Sequence, residues 1–217
     1  MLRNVPLTAL AAILIFIALR LFNVRDLVAI ARFSYIEFAL AAVTLLTVVL
    51  VGVEQGIGVA VGLAILDRIR VSARPQLHVL GRIPGTTSWQ RPDMDPSAAP
   101  VPGALVVLFA TPIWYANAIR FRDEVRAALL HAPGPVRALV LDTVGMSDID
   151  FTGTRALSQV LDLFEHERIA FGIARAGVHL RDSLGRSGLA ARIGEDRFFP
   201  TVDGAVTALA SGPSPPA

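Results

Sequence analysis

The chain has 217 residues, 53% of them hydrophobic, and its 20 basic residues exceed its 18 acidic residues by only two. This small net charge, without a run of basic residues, does not predict nucleic-acid binding. The sequence contains no Lys and no Cys, which excludes lysine Schiff bases, phosphate-loop lysines, thiol catalysis, disulfides and thiolate metal sites. The four His residues lack a recognised ligand spacing, and "EHER" around His166 is typical of a solvated helix end. We predict neither a metal nor a cofactor.

The hydrophobic residues are concentrated in the first 70 positions, which predicts a membrane segment. Residues 5–19, "VPLTALAAILIFIAL", carry no charge. They do not form a secretory signal, because only Arg3 precedes them and no small-residue cleavage site follows. A second block, residues 38–66, has Glu54 as its only charge, and its 29 residues are many for one helix and few for two.

Arginines on both sides of this second block favour two short helices over one. They lie at positions 20, 25 and 32 before the block and at 68, 70 and 74 after it. A hairpin that turns near residues 52–55 places both groups in the cytoplasm, whereas a single span would separate them. We therefore predict three membrane helices within residues 1–70, at about 5–22, 38–52 and 56–70. Spans this short are stable only inside a larger bundle, so we expect further spans in the same protein or in a companion chain.

Small residues in the hairpin predict close packing between membrane helices. Gly52, Gly56, Gly58 and Gly62 would let neighbouring helices approach, and protein groups would satisfy Glu54. The stretch "GIGVAVG" also resembles a dinucleotide-binding fingerprint, but the preceding strand and the acidic partner downstream are missing.

The rest of the chain predicts an α/β domain. Residues 71–103 form a Pro-rich linker in which "QLHVL" alternates and could be an edge strand. In residues 104–210, three apolar strand patterns (104–110, 136–142 and 169–175) alternate with amphipathic helix patterns at 112–132, 154–167, 178–189 and 202–210. Asn117 is the expected N-cap of the first helix. This alternation predicts a mostly parallel central sheet with flanking helices. We expect residues 211–217 to be disordered.

The stretch "SDIDFTG", residues 147–153, lies where a strand should pass into a helix, the usual place for functional residues in such a sheet. Three interpretations compete. Asp148 and Asp150 are a catalytic pair if another group separates their pKa values. Asp150 or Thr152 is a helix cap. Thr152 is a phosphorylation switch, favoured by the helix dipole and opposed by the two carboxylates.

Asp150-Phe151-Thr152-Gly153 is similar to the Asp-x-Ser/Thr-Gly motif of STAS domains. These domains occur in anti-sigma factor antagonists and at the cytoplasmic end of sulfate permease (SulP) family anion transporters. The segments "LGRIPGTTSW" (80–89), "WYANAIRFRDEV" (114–125) and "RSGLAARIGEDRFFPTVDGAV" (186–206) resemble the transporter branch. "GVEQGIGVAVGL" resembles that family's last membrane hairpin, so the resemblance covers almost the whole chain.

The resemblance implies the carboxy-terminal part of a secondary inorganic anion transporter, multi-pass in the cell (inner) membrane, with a cytoplasmic STAS domain. The domain is expected to act in regulation, assembly and homodimer contacts, and not as an enzyme. Trp114 and Tyr115 either pack against the membrane domain or enter the STAS core. Family members resemble a fourteen-span bundle that holds the anion between half-helix N-termini. This sequence matches only the last three spans, so the anion would bind through spans outside it, and transport by this chain alone is not expected.

The alternative from a different class is a membrane-tethered STAS protein that acts like an anti-sigma factor antagonist. In that case a partner kinase would bind the surface around Thr152.

Overall fold

The computed structural model describes residues 7–21, 23–73 and 75–210. The chain divides into two compact units, Met1–Arg68 and Ile69–Ala217. We call them the helical unit and the sheet unit.

The described residues of the helical unit form four helices: α1 Leu7–Leu21, α2 Val24–Phe33, α3 Tyr35–Leu50 and α4 Val53–Ser72, of which the last extends into the sheet unit. Ser34 separates α2 from α3, because its N–H group donates to the Ile30 carbonyl while its hydroxyl accepts from the N–H of Glu37. The chain breaks again at Val51 and Gly52, and Gly52 has a φ of +139°, where residues with a Cβ are strained.

The predicted membrane helices coincide in position with α1, α3 and α4, whereas α2 was not predicted. Arg25, Asp26 and Arg32 interrupt the hydrophobic pattern there and concealed the helix. Many apolar side chains of the unit are exposed, including Leu14, Phe16 and Leu50. Across the described ranges, no helix combines the length and the apolar character needed to cross a membrane. Membrane insertion therefore stays a prediction.

The predicted packing glycines have different surroundings. A Cβ on Gly56 would collide with Cγ2 of Val48, so Gly56 lies tightly against α3. A Cβ on Gly58 or Gly62 would meet nothing within 4 Å among the described atoms. Glu54 is exposed in the first turn of α4.

The sheet unit is built on six strands in the order β2-β1-β3-β4-β5-β6. The strands are β1 Leu77–Arg82, β2 Trp89–Gln90, β3 Ala104–Phe109, β4 Ala138–Asp142, β5 Ala170–Ala174 and β6 Phe198–Phe199. β3 to β6 are parallel, whereas β1 is antiparallel to both β2 and β3. The sheet is therefore mixed, and the predicted parallel arrangement is found in its part from β3 to β6. Of the segment 76–80, residues 77–80 belong to β1 and pair with β3, whereas β2 joins β1 only at Gly81 and Arg82. Among the described residues this stretch therefore lies at the edge of the sheet, as predicted, and the sheet begins inside the predicted linker.

Helices cover both faces of this sheet: α5 Ala118–Leu130, α6 Phe151–Glu167, α7 Val178–Arg186, α8 Leu189–Ile193 and α9 Val202–Ala210. One face buries Phe109, Phe121 and Phe164 beneath α5 and α6, and the other packs against α9. The predicted apolar stripe of α6 is confirmed, since Leu157 and its partners at 160, 161 and 164 are all buried.

Two helix predictions need correction. The pattern at 178–189 forms α7 and α8 rather than one helix, because Gly188 between them has a φ of +77°. Asn117 stands at the N-cap position of α5 without making a side-chain cap. Its side chain instead accepts from the Trp114 N–H at 2.9 Å and donates to the Pro112 carbonyl at 3.0 Å. The predicted disordered tail, 211–217, lies outside the described residues.

Candidate functional site

The loops that follow β3, β4 and β5 lie at one edge of the sheet, because these strands are parallel. The segment 147–153 belongs to this edge and leads from β4 into α6. We call this edge of the sheet, with the loops after β3, β4 and β5, the carboxyl edge.

Asp150 joins two of the loops through one carboxylate. It is the N-cap of α6, and its Oδ1 accepts from the N–H of Gly153 at 2.7 Å. Its Oδ2 accepts from the N–H of Tyr115, in the loop after β3, at 2.8 Å. Both carboxylate oxygens therefore bind backbone groups.

Gly153 allows the same two loops to touch. A Cβ at this position would lie 2.7 Å from the Ile113 carbonyl oxygen and 2.8 Å from Cγ1 of Ile149. Ile113 and Ile149 form a parallel bridge, and the N–H of Asp150 donates to the Ile113 carbonyl at 3.0 Å. The requirement for glycine thus comes from close approach of the backbones and not from a left-handed φ.

Asp148 belongs to a different contact, with α7. Its Oδ1 accepts from the Ser183 hydroxyl at 2.6 Å and from the N–H of Ile149 at 2.8 Å, and Arg186 donates to Ser183 Oγ at 2.8 Å. A shallow cleft of about 310 Å³ surrounds these groups, and His179 also lines it. The hydrogen bond from Ser183 is the main reason that the pKa of Asp148 is lowered. The Ile149 N–H and the charges of Arg186 and His179 act in the same direction.

This geometry favours positioning over acid–base chemistry. A general acid or base works best with a pKa near the working pH, whereas the pKa of Asp148 is moved away from neutrality. Asp150 uses both oxygens on backbone donors of two loops. In the part of the chain that the structure describes, no group of three or more His, Asp or Glu side chains is placed to hold a metal ion.

Thr152 is exposed as the second residue of α6. Apolar side chains at the same edge are also exposed: Tyr115 by 59%, Phe151 by 78%, Val144 by 56% and Val178 by 73%. Trp114 is half-buried, and its ring meets that of Tyr115 edge-on at 4.7 Å. Thr152 thus shares the carboxyl edge with exposed apolar groups suited to contact with another protein surface.

Sequence reasoning missed a second site, on α5. The Glu124 carboxylate accepts from the N–H of Leu77 at 2.6 Å, and Arg120 donates to the Pro75 carbonyl at 3.0 Å. Asn117 adds a long contact of 3.5 Å to the Ser72 carbonyl. These three side chains share one face of α5 at spacings of three and four residues. We call them the connector clamp, because they hold the segment between α4 and β1.

Two further ion pairs were also not predicted. Asp142, fully buried at the end of β4, pairs with Arg175 at 2.5 and 2.9 Å. This contact raises the pKa of the Arg175 guanidinium. Asp203 of α9 binds Arg82 at 3.0 Å and the Trp89 indole at 3.3 Å, which ties the β1–β2 hairpin to the opposite end of the domain sequence. The partners are 33 to 121 residues apart, so local patterns could not reveal them.

Comparison with known proteins places these features in a family. Residues 95–205 match the STAS domain model. The chain is 36% identical over 204 residues to a "Probable sulfate transporter" of Mycobacterium tuberculosis, an alignment that covers 94% of this chain and 36% of that protein. It is 29% identical to "Probable sulfate transporter 4.2" of Arabidopsis thaliana over 95% of this chain and 32% of that protein. The chain thus spans about a third of the length of these curated relatives.

The fold also matches that of a solved transporter. The murine Solute Carrier 26 family member A9 anion transporter, in its inward-facing state, superposes with a TM-score of 0.81 at 21% identity. The match covers 91% of this chain and 33% of that one. The chain therefore belongs to the STAS domain family, and over most of its length it is a relative of the SulP sulfate transporters.

Proposed function

We propose that this chain is the carboxy-terminal part of a SulP-type inorganic anion transporter. The observation that carries the proposal is the extent of the similarity to the Mycobacterium tuberculosis relative. It covers 94% of the chain and thus reaches through the helical unit as well as the STAS domain. We would not expect a free-standing STAS protein to resemble a sulfate transporter in the helical unit.

In this proposal the helical unit belongs to a multi-pass bundle in the inner cell membrane, and the sheet unit lies in the cytoplasm. α1 and α3 have 15 and 16 residues, fewer than the roughly 20 that a full span needs. The remaining spans of the transporter, in the same protein or a companion chain, would cover their exposed apolar side chains. The anion would bind in those remaining spans, since the relatives are about three times as long as this chain.

The sheet unit would regulate and assemble the transporter, including contacts in a homodimer, without catalysing a reaction. Two features support a role in contacts. Asp148 and Asp150 fix loops and helices, and the exposed apolar side chains at the carboxyl edge offer a docking surface.

The proposal is tested by exchanging segments. The aligned 36% of the Mycobacterium tuberculosis protein is replaced by this chain, and uptake of labelled sulfate is measured in cells that lack their own sulfate transporter. We expect the chimera to take up sulfate within about tenfold of the parent, and the same protein without the segment to be inactive. If the chimera reaches the membrane in normal amount but takes up no sulfate, this chain does not supply the transporter's carboxy-terminal part. Sulfate uptake by proteoliposomes that contain only this chain should not exceed the uptake by protein-free vesicles.

A second candidate function is a phosphorylation switch like that of anti-sigma factor antagonists, which the exposed hydroxyl of Thr152 beside exposed aromatic side chains favours. A phosphate at the start of α6 would gain from the helix dipole but meet the charges of Asp148 and Asp150. Mass spectrometry of the chain from growing cells should find phosphate on Thr152 if this function is real. Absence of phosphate on Thr152 would contradict the switch. If phosphate is found, equal sulfate uptake by the chimera with Thr152→Glu and with the uncharged control Thr152→Val would show that the switch does not control transport.

A further inference from the structure

The short helix α2 carries an inference beyond the role of the STAS domain. α2 has 10 residues, Val24–Phe33, and is separated from its neighbours at both ends. Asn23 caps its start by accepting from the N–H of Arg25 at 3.2 Å, and Ser34 ends it. Ten residues rise about 15 Å, half of the roughly 30 Å of a membrane's hydrocarbon core. α2 is therefore too short to span a membrane.

The side chains of α2 are divided between two faces. At about 100° per residue, Leu27, Val28, Ile30 and Ala31 fall within an arc of about 160°. Leu27 and Ile30 are half-buried, whereas Val28 and Ala31 are exposed. At one side of the apolar arc, Leu27 also lines an open groove of about 440 Å³ between α2 and α3. The other apolar residues that line this groove are Phe38, Ala41, Ala42 and Leu45.

The opposite face is charged and basic in balance. Arg25 and Arg32 lie seven residues apart and therefore on one stripe, and Ala29 lies between this stripe and Asp26. Residues 20–33 contain three Arg and one Asp, a net charge of +2. Asp26 accepts a hydrogen bond from the Asn23 side chain at 2.8 Å. Guanidinium groups pair well with phosphate oxygens.

We propose that α2 lies in the plane of the membrane surface and binds anionic phospholipids. Its apolar arc faces the acyl chains, and Arg25 and Arg32 contact the headgroup phosphates. The exposed ring of Tyr35, at the start of α3, suits the same boundary between lipid and water, whereas Phe33, seven residues after Asp26, lies on the charged face. This inference rests on the proposed membrane location of the helical unit.

The absence of cysteine allows one spin label to be placed at a time in the full chain. The positions are Val28→Cys and Ala31→Cys on the apolar arc, Ala29→Cys on the charged face and Leu46→Cys in α3. The labelled chain is reconstituted into vesicles of phosphatidylcholine with phosphatidylglycerol, and collisions with oxygen and with a water-soluble nickel chelate are measured. We expect labels at positions 28 and 31 to collide more with oxygen and the label at position 29 to collide more with the nickel chelate. The ratio of oxygen to nickel collisions should differ at least fivefold between the two faces.

Other patterns would overturn the proposal. Equal ratios at 28, 29 and 31 mean that α2 is not interfacial, and shielding of 28 and 31 from both reagents means that protein covers the apolar arc. Position 46, in α3, reports membrane insertion independently of α2. If it also favours nickel, membrane insertion of the unit fails, whereas if it favours oxygen while α2 has no periodicity, only the present inference fails.

The choice of lipid is tested with Arg25→Gln/Arg32→Gln. We expect this variant, or pure phosphatidylcholine, to reduce the oxygen preference at position 28 severalfold. The same replacements at Arg68 and Arg70, at the end of α4, serve as the matched control. No effect at position 28 from either change would contradict binding to anionic headgroups.

Discussion

Gly153 sets the distance between the first turn of α6 and the loop after β3. A methyl group there would press on the Ile113 carbonyl oxygen at 2.7 Å, and this oxygen already accepts from the N–H of Asp150. A shift of the Ile113 carbonyl away from the methyl group would weaken this hydrogen bond and the bridge between Ile113 and Ile149.

Gly153→Ala should therefore lower the free energy of unfolding by about 1–3 kcal/mol, the usual cost of overpacking. Gly185→Ala is the matched control, because it also lies in a helix and its Cβ would meet nothing within 4 Å. We expect this control to be stabilising by about 0.5–1 kcal/mol. The measurement is urea unfolding of the chain in detergent, followed by the fluorescence of Trp89 and Trp114. Equal effects of the two substitutions would disprove the close contact.

Asp148 makes the stability of the sheet unit depend on pH. The pKa of this carboxylate is lowered on folding, mainly by the Ser183 hydroxyl. A lowered pKa contributes stability that is present above the unfolded value, about 3.9, and is lost as the pH falls through the folded value.

Ser183→Ala should therefore destabilise the chain at pH 7, by about 1 kcal/mol or less because Asp148 is exposed. The difference from the parent should shrink as the pH falls to about 3. Ser187→Ala is the control, since that hydroxyl donates to the Leu184 carbonyl and not to a carboxylate. Urea unfolding at several pH values makes the comparison, and a Ser183→Ala effect that does not change with pH would refute the assigned cause.

The secondary-structure elements divide into those with a local signal and those without one. The apolar runs of β3, β4 and β5 and the stripe of α6 predicted the parallel sheet and its helices. β2 and β6 have two residues each, too few for a pattern, and depend on pairing with β1 and β5. α2 was not predicted, because its charged residues interrupt the hydrophobic pattern. The segment 147–153 was located from sequence as a turn into a helix. The separate roles of Asp148 and Asp150 could not be predicted, because each carboxylate binds a partner 35 residues away in the chain.

The connector clamp links α5 to β1 in a way that can be measured at one amide. Glu124→Ala removes the carboxylate that accepts from the N–H of Leu77 at 2.6 Å. Since a hydrogen bond to a charged group contributes about 1.5–3 kcal/mol, the Leu77 amide should exchange with deuterium at least about tenfold faster. Asp123→Ala is the control, because among the described residues this neighbour pairs with Arg122 on the surface and not with the β1 backbone. Unchanged exchange at Leu77 in the Glu124 variant would argue against the clamp.

At the scale of the whole molecule, the two units differ in how many apolar side chains they leave exposed. The helical unit exposes many apolar side chains, whereas the sheet unit has buried cores on both faces of its sheet. Similarity to sulfate transporters over 94% of the chain covers both. Under the proposed function, the helical unit is embedded in the inner membrane and the STAS domain is exposed to the cytoplasm.

The most direct test labels a single cysteine in cells. Thr152→Cys places a unique thiol on the exposed start of α6, and a thiol reagent that cannot cross membranes is applied to spheroplasts and to inverted membrane vesicles. The account predicts that the chain stays in the membrane fraction after alkaline carbonate washing and is labelled only in inverted vesicles. Release by carbonate, or labelling in intact spheroplasts, would contradict it.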